Sequence, residues 1–159
     1  MEKENLTQDQ HRSLGIELFN KTWEYIEKTD RSSMDDAAML ESSYASSYHW
    51  SQCGTALNRQ RSFWLISRVY AVLAFPDPCI FFADLCRDVT ENALEEMKDF
   101  DVAFSYEALA RAYALGGVMD KASMYYKLAL ESGNKIQDAE DKQIFMADIH
   151  TGILESFKK

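Results

Sequence analysis

Arg61, Trp64 and Arg68 stand three and four residues apart, a spacing that places them together on one helix face. The chemistry this set can do is recognition without bond-making. A guanidinium grips a carboxylate through two parallel hydrogen bonds, and a neighbouring indole adds apolar area that holds a peptide beside it. Charge is segregated around these residues. The chain has a formal net charge of −9, yet the stretch from Ser42 to Pro76 contains no acidic residue while holding Arg59, Arg61, Arg68, His49 and Trp50. His49, in Ser47-Tyr48-His49-Trp50 just ahead of the arginines, is a further candidate for contact with a bound anion.

Bond-making chemistry finds little support in the spacing of residues. A di-iron bundle needs paired Glu-x-x-His motifs to point ligands inward from one face, and no such motif occurs. His11, His49 and His150 are far apart in sequence, without HExxH or HxxxH spacing to set two imidazoles one turn apart. Cys53, Cys79 and Cys86 form an odd set without CxxC spacing, which disfavours a disulfide framework and a zinc site alike. Cys53 follows His49 by one helical turn, but that pairing lacks an orienting third group or an oxyanion hole. Neither a glycine-rich phosphate loop nor a nucleophile elbow is present. The expectation is a protein that is not an enzyme, with no cofactor and no metal.

The elements that must position the arginines follow from size and periodicity. A chain of 159 residues suits one domain, placed here at 7–159 behind a flexible tail over 1–6. Net acidity without any Lys/Arg-rich block argues against nucleic acid. No apolar run approaches the roughly 18 residues of a membrane span, and the N-terminus lacks a signal-like apolar stretch, so the expectation is a cytoplasmic protein.

Seven helices are expected and no strand, giving an all-α class. Thr7-Gln8-Asp9-Gln10 has the form of a capping box opening a first helix with Leu14, Leu18, Phe19, Trp23 and Ile26 on its apolar side. Ser32 or Ser33 caps a second helix, with Ala37, Leu40, Tyr44, Ala45 and Tyr48, that ends at Gly54. Thr55 opens a third that stops at Pro76, and Asp77 before Pro78 caps a fourth running on towards Leu94 and Met97. Asp99 or Asp101 caps the fifth, Gly116-Gly117 breaks it, and Asp120 starts the sixth. Asp138 caps the seventh, which carries Ile144, Phe145, Ile149, Ile153 and Phe157.

Tyr106, Leu109, Ala110 and Tyr113, then Gly117, then Ala122, Tyr126 and Ala129 form a pattern of large and small residues that resembles a tetratricopeptide repeat. Moving back 43 residues lays Phe63, Ile66, Ser67 and Tyr70 over the first four, Asp77 over Asp120, and Cys79 and Cys86 over the two alanines. That period resembles the longer-helix variety of the family. The resemblance is good over 104–134 and fair over 60–90; in the first two helices only Ile16, Phe19 and Trp23 echo it. It implies three stacked helical hairpins in a right-handed superhelix closed by a seventh, capping helix.

In that family the first helix of each pair lines a concave groove, which implies that Arg68 and Arg111 face one trough with Trp64 and Glu107 on neighbouring walls. The partner-binding set is therefore Arg61, Trp64, Arg68, Glu107, Arg111 and His49, and the expected partner a protein or peptide with an acidic segment or C-terminal carboxylate. The alternative is that the arginines are internal partners of Glu107 and other acids, with Trp64 in the core. The function expected is a non-catalytic protein–protein interaction adaptor, open to homodimerisation through the ends of the stack. Its rivals are a peptide-sensing or ligand-sensing regulatory component and a helical-bundle enzyme.

Overall fold

The computed structural model describes residues 5–158, and every regular element among them is helical. The seven α-helices are α1 (Gln8–Glu27), α2 (Ser33–Cys53), α3 (Ala56–Val72), α4 (Pro76–Asn92), α5 (Asp99–Leu115), α6 (Met119–Asn134) and α7 (Ala139–Asp148). Short 3₁₀ turns follow α4 at Leu94–Glu96 and α7 at Gly152–Phe157. The tail expected over 1–6 lies mostly outside the described residues; of it, Asn5 and Leu6 are exposed and non-helical. No described helix is long and apolar enough to cross a membrane.

Consecutive helices pair as α1 with α2, α3 with α4 and α5 with α6, and the pairs stack so that α3 also meets α5. The 43-residue offset is present in the backbone. It separates both ends of α3 from both ends of α5, and it separates the starts of α2, α4 and α6 at Ser33, Pro76 and Met119. The buried faces of α4 and α6 match position by position: Cys79, Ala83, Cys86 and Thr90 against Ala122, Tyr126, Ala129 and Gly133. These recur every three or four residues, so each helix turns one narrow stripe of mostly small side chains to its partner.

The turns repeat as well. Ala74 and Gly117, one register apart, adopt left-handed φ values of 60° and 75°. Behind them Phe75 N donates to Tyr70 O at 3.0 Å and Val118 N to Tyr113 O at 2.9 Å, closing each helix in the same way. Glycine reaches this conformation without cost, whereas alanine there carries strain. The first pair turns differently. Arg31 occupies the matching position without left-handed φ, and its Nη1 donates to the carbonyls of Tyr25, Ile26 and Lys28 at 3.4, 3.3 and 2.8 Å. A side chain here satisfies the orphan carbonyls that a bent backbone satisfies in the other two pairs.

Several expectations need correction. On α2, Tyr44 and Tyr48 are exposed, and the buried face is Met39, Ser42, Ser43, Ser46 and Ser47. Small serines let α1 approach closely: Ser46 Oγ donates to Gly15 O at 2.8 Å, and Ser42 Oγ meets Thr22 Oγ1 at 2.9 Å. Asp77 and Asp120 sit inside the first turns of α4 and α6 and are not their caps, because Pro76 already takes the first helical position of α4. Lys98 precedes α5, and Asp101 accepts its backbone N–H. The seventh helix stops at Asp148, ahead of the left-handed Gly152. Thr7, Ser32 and Asp138 cap as expected.

The core centres on α5, whose Ala103, Phe104, Ala108, Leu109, Ala110, Ala112, Tyr113 and Ala114 are all buried. A helix this short in side chains can be enclosed on every side. Burial pushes the Cys79 thiol up to about 11, despite its bond with Ser67, and raises that of Cys86 further, so both stay protonated packing groups.

Candidate functional site

A groove of about 810 Å³ runs across the inner helices of the stack. α1 contributes Phe19 and Trp23, α3 contributes Gln60, Arg61 and Trp64, α5 contributes Phe100, Asp101 and Phe104, and α7 contributes Asp141, Ile144, Ala147 and Asp148. Lys98 and Thr151 complete the lining. The second helices α2, α4 and α6 contribute nothing to it. A smaller recess of about 130 Å³ adjoins it, shares Phe19 and Arg61, and is backed by Trp50.

Aromatic rings build the walls. Trp23 stacks on Trp64 with centroids 5.8 Å apart, Phe104 meets Trp64 edge-on at 5.3 Å, and Phe100 meets Phe104 at 4.6 Å. Trp64 is half-buried, forming wall and not core. At the far side Ile144 of α7 remains 50% exposed although it faces a groove of this size. Apolar surface left exposed in a concave lining is a general property of ligand pockets.

The arginines at the groove are already matched, whereas Lys98 and Asp141 on its lining have no ion partner among the described residues. Glu107 is fully buried and accepts from Arg111 Nε at 2.6 Å, Arg68 Nη2 at 3.0 Å and Trp64 Nε1 at 3.2 Å. Arg68 also pairs with the Asp148 carboxylate, Nη1 donating at 3.1 Å, while its guanidinium lies 5.0 Å over the Trp64 ring. Arg111 gives its other nitrogens to the backbone carbonyls of Thr151 and Asp148, at 3.0 and 3.2 Å. Two cations and two carboxylates thus form a closed cluster that fastens α3, α5 and α7 together. Burial alone would raise the Glu107 carboxyl, but Arg111 and Arg68 hold it below the ordinary range. Burial likewise opposes the Arg68 charge, and Glu107 and Asp148 override it, leaving the group firmly protonated.

The structure brings five of the six predicted residues together, three of them, Arg68, Glu107 and Arg111, as buried partners of one another. Arg68 and Arg111 do converge, as the 43-residue register requires, but they converge on Glu107 and are 9% and 5% exposed. They take the alternative arrangement of internal ion partners. Arg61 stands at the groove, its Nε donating to Asp101 Oδ1 at 2.7 Å and its Nη2 to Oδ2 at 3.1 Å. His49 lies elsewhere, on α2, where its Nδ1 meets His11 Nδ1 at 2.8 Å. The Cys53 thiol bonds the His49 backbone carbonyl at 3.4 Å and not the imidazole.

Residues missed from sequence include Asp148, whose pairing with Arg68 spans 80 positions. No local pattern signals a pair so distant. Phe19 and Trp23 were visible as the apolar side of the first helix, but their place on the groove depends on how the pairs stack. No protein-family model, curated protein or solved structure matches the chain.

Proposed function

We propose that this chain is a non-catalytic interaction module of tetratricopeptide-like construction that takes a peptide or partner segment in the groove of α1, α3, α5 and α7. The carrying observation is the division of labour among the helices. The first helix of each pair, with α7, supplies the groove, while the second helices supply the outer layer. The helix boundaries and left-handed turns repeated at 43 residues add support from the backbone.

The chemistry of the occupant follows from the matched arginines. Arg61 is engaged by Asp101, and Arg68 and Arg111 by Glu107 and Asp148, so a carboxylate arriving at any of these arginines would have to displace a partner already in place, and only Lys98 among the lining cations has none. The aromatic walls instead reward apolar side chains, each worth about 1.5–3 kcal/mol when fully buried. The segment bound therefore anchors through apolar side chains on the aromatic walls, a revision of the acidic or C-terminal partner expected from the arginines alone.

Peptide display selection against the whole chain, followed by titration of synthetic winners, tests this. Winners should carry aromatic or aliphatic anchors, bind equally well with a free or an amidated C-terminus, and lose about tenfold or more in affinity to Ile144→Arg at unchanged melting temperature. Dependence on a free carboxylate, or indifference to Ile144→Arg, would count against the groove reading.

A further inference from the structure

Away from the groove, His11 at the start of α1 and His49 near the end of α2 turn their Nδ1 atoms towards each other at 2.8 Å, with ring centroids 5.1 Å apart and planes tilted by 48°. Both rings are half-buried, and neither Nε2 has a protein hydrogen-bond partner among the described residues. In the neutral pair one Nδ1 must carry the hydrogen and the other offer its lone pair. Moving that one hydrogen to Nε2 of the same ring leaves two Nδ1 lone pairs in one small space between two different helices.

The spacing selects among metals. Metal–imidazole bonds of about 2.0–2.1 Å set at a right angle place two nitrogens about 2.9 Å apart, and at the tetrahedral angle about 3.3 Å. The observed 2.8 Å is an ordinary N–H···N hydrogen-bond length and also lies close to the right-angle separation of tetragonal coordination, so such an ion can replace the hydrogen with little movement of either helix. We propose that His11 and His49 form a two-histidine site for a divalent transition ion of the copper(II) or nickel(II) type, stapling the start of α1 to the end of α2. Among the described residues no third His, Cys, Asp or Glu closes around the pair, so water or an exchangeable ligand fills the other positions. On binding, the ring that carried its hydrogen on Nδ1 loses it to solvent and takes one up on Nε2, so both imidazoles stay neutral, and the ion takes the place of the hydrogen between the rings. Because α1 also carries Phe19 and Trp23, the staple would stiffen one wall of the groove.

Copper(II) and nickel(II) chloride titrated into the full chain provide the test, by calorimetry in two buffers of different ionisation heat and by electron paramagnetic resonance of the copper form. Expected are one equivalent bound, copper tighter than nickel, no net proton released where both rings start neutral, and hyperfine structure from two imidazole nitrogens. His11→Gln and His49→Gln should each weaken binding about tenfold or more, and His150→Gln should leave it unchanged. Equal binding by the His11→Gln/His49→Gln double variant, or a spectrum without two imidazoles, would overturn the proposal. Should a variant melt early, nickel broadening of the wild-type ring signals decides: selective loss of His11 and His49 ahead of His150 supports the site, and uniform or absent loss refutes it.

Discussion

Set side by side, the α3–α4 and α5–α6 pairs share helix boundaries, turn geometry and buried stripe, yet at matching inner positions one carries Trp64 and the other Glu107. The two residues then bond each other across the stack at 3.2 Å. Small buried residues and one left-handed turn hold the backbone register, which leaves inner-wall positions free to differ and to complement one another. Arg68 and Arg111, identical at their matching position, would repel without the carboxylate between them.

The comparison breaks most completely at Glu107. Glu107→Ala leaves two buried guanidinium groups facing each other, and the expected loss is about 3–5 kcal/mol in chemical denaturation, the range for unpartnering a buried ion pair. A loss below about 1 kcal/mol would mean that the cluster is solvated and open. Next come the matching outer-helix positions Gly133 and Thr90. A Cβ at Gly133 would run into the Phe145 ring, so Gly133→Ala should cost about 2–3 kcal/mol. Thr90→Ala forfeits the bond from Oγ1 to Cys86 O at 2.8 Å and one buried methyl, and should cost about 1–2 kcal/mol.

The turns sharpen the comparison with opposite signs. Nothing lies within 4 Å of a Cβ built on Gly117, so Gly117→Ala should lose about 1 kcal/mol through backbone strain alone. Ala74→Gly relieves that same strain at some entropic cost, for a net gain of about 0.5 kcal/mol in thermal or chemical denaturation. Equal effects of one sign at both turns would dissolve their equivalence.

The smallest effect expected is that of mild acid. The His49 ring titrates below its ordinary 6.5, so the folded protein binds fewer protons there than the unfolded chain does. Its contribution is complete above pH 6.5 and is lost as pH falls through the lowered value, while Glu107 contributes in full above 4.5 and fails only in stronger acid. Stability followed from pH 7.5 downwards should therefore show a shallow first decline that His49→Gln removes.

Sequence carried the helices, most caps and the two later pairs, because Gly117, the small residues of α6 and the knob tyrosines each leave a local mark. It hid the first pair. Arg31 performs by hydrogen bonding what Gly117 performs by φ, and the serine face of α2 carries no hydrophobic period even though Ser33 keeps the common register. The arginines were visible as a cluster, but their role turned on Asp148, which only the folding back of α7 brings within reach. Positive charge in a sequence shows where cations are, not whether the fold has already neutralised them.

Occupation of the aromatic groove is most directly followed through the indole N–H resonances of Trp23, Trp50 and Trp64 during titration with a selected apolar peptide. Saturable shifts at Trp23 and Trp64, larger than any at Trp50 and little altered by added salt, are the predicted result. A peptide that binds while Trp23 and Trp64 stay still, or whose binding collapses with salt, would contradict an apolar anchor seated in that groove.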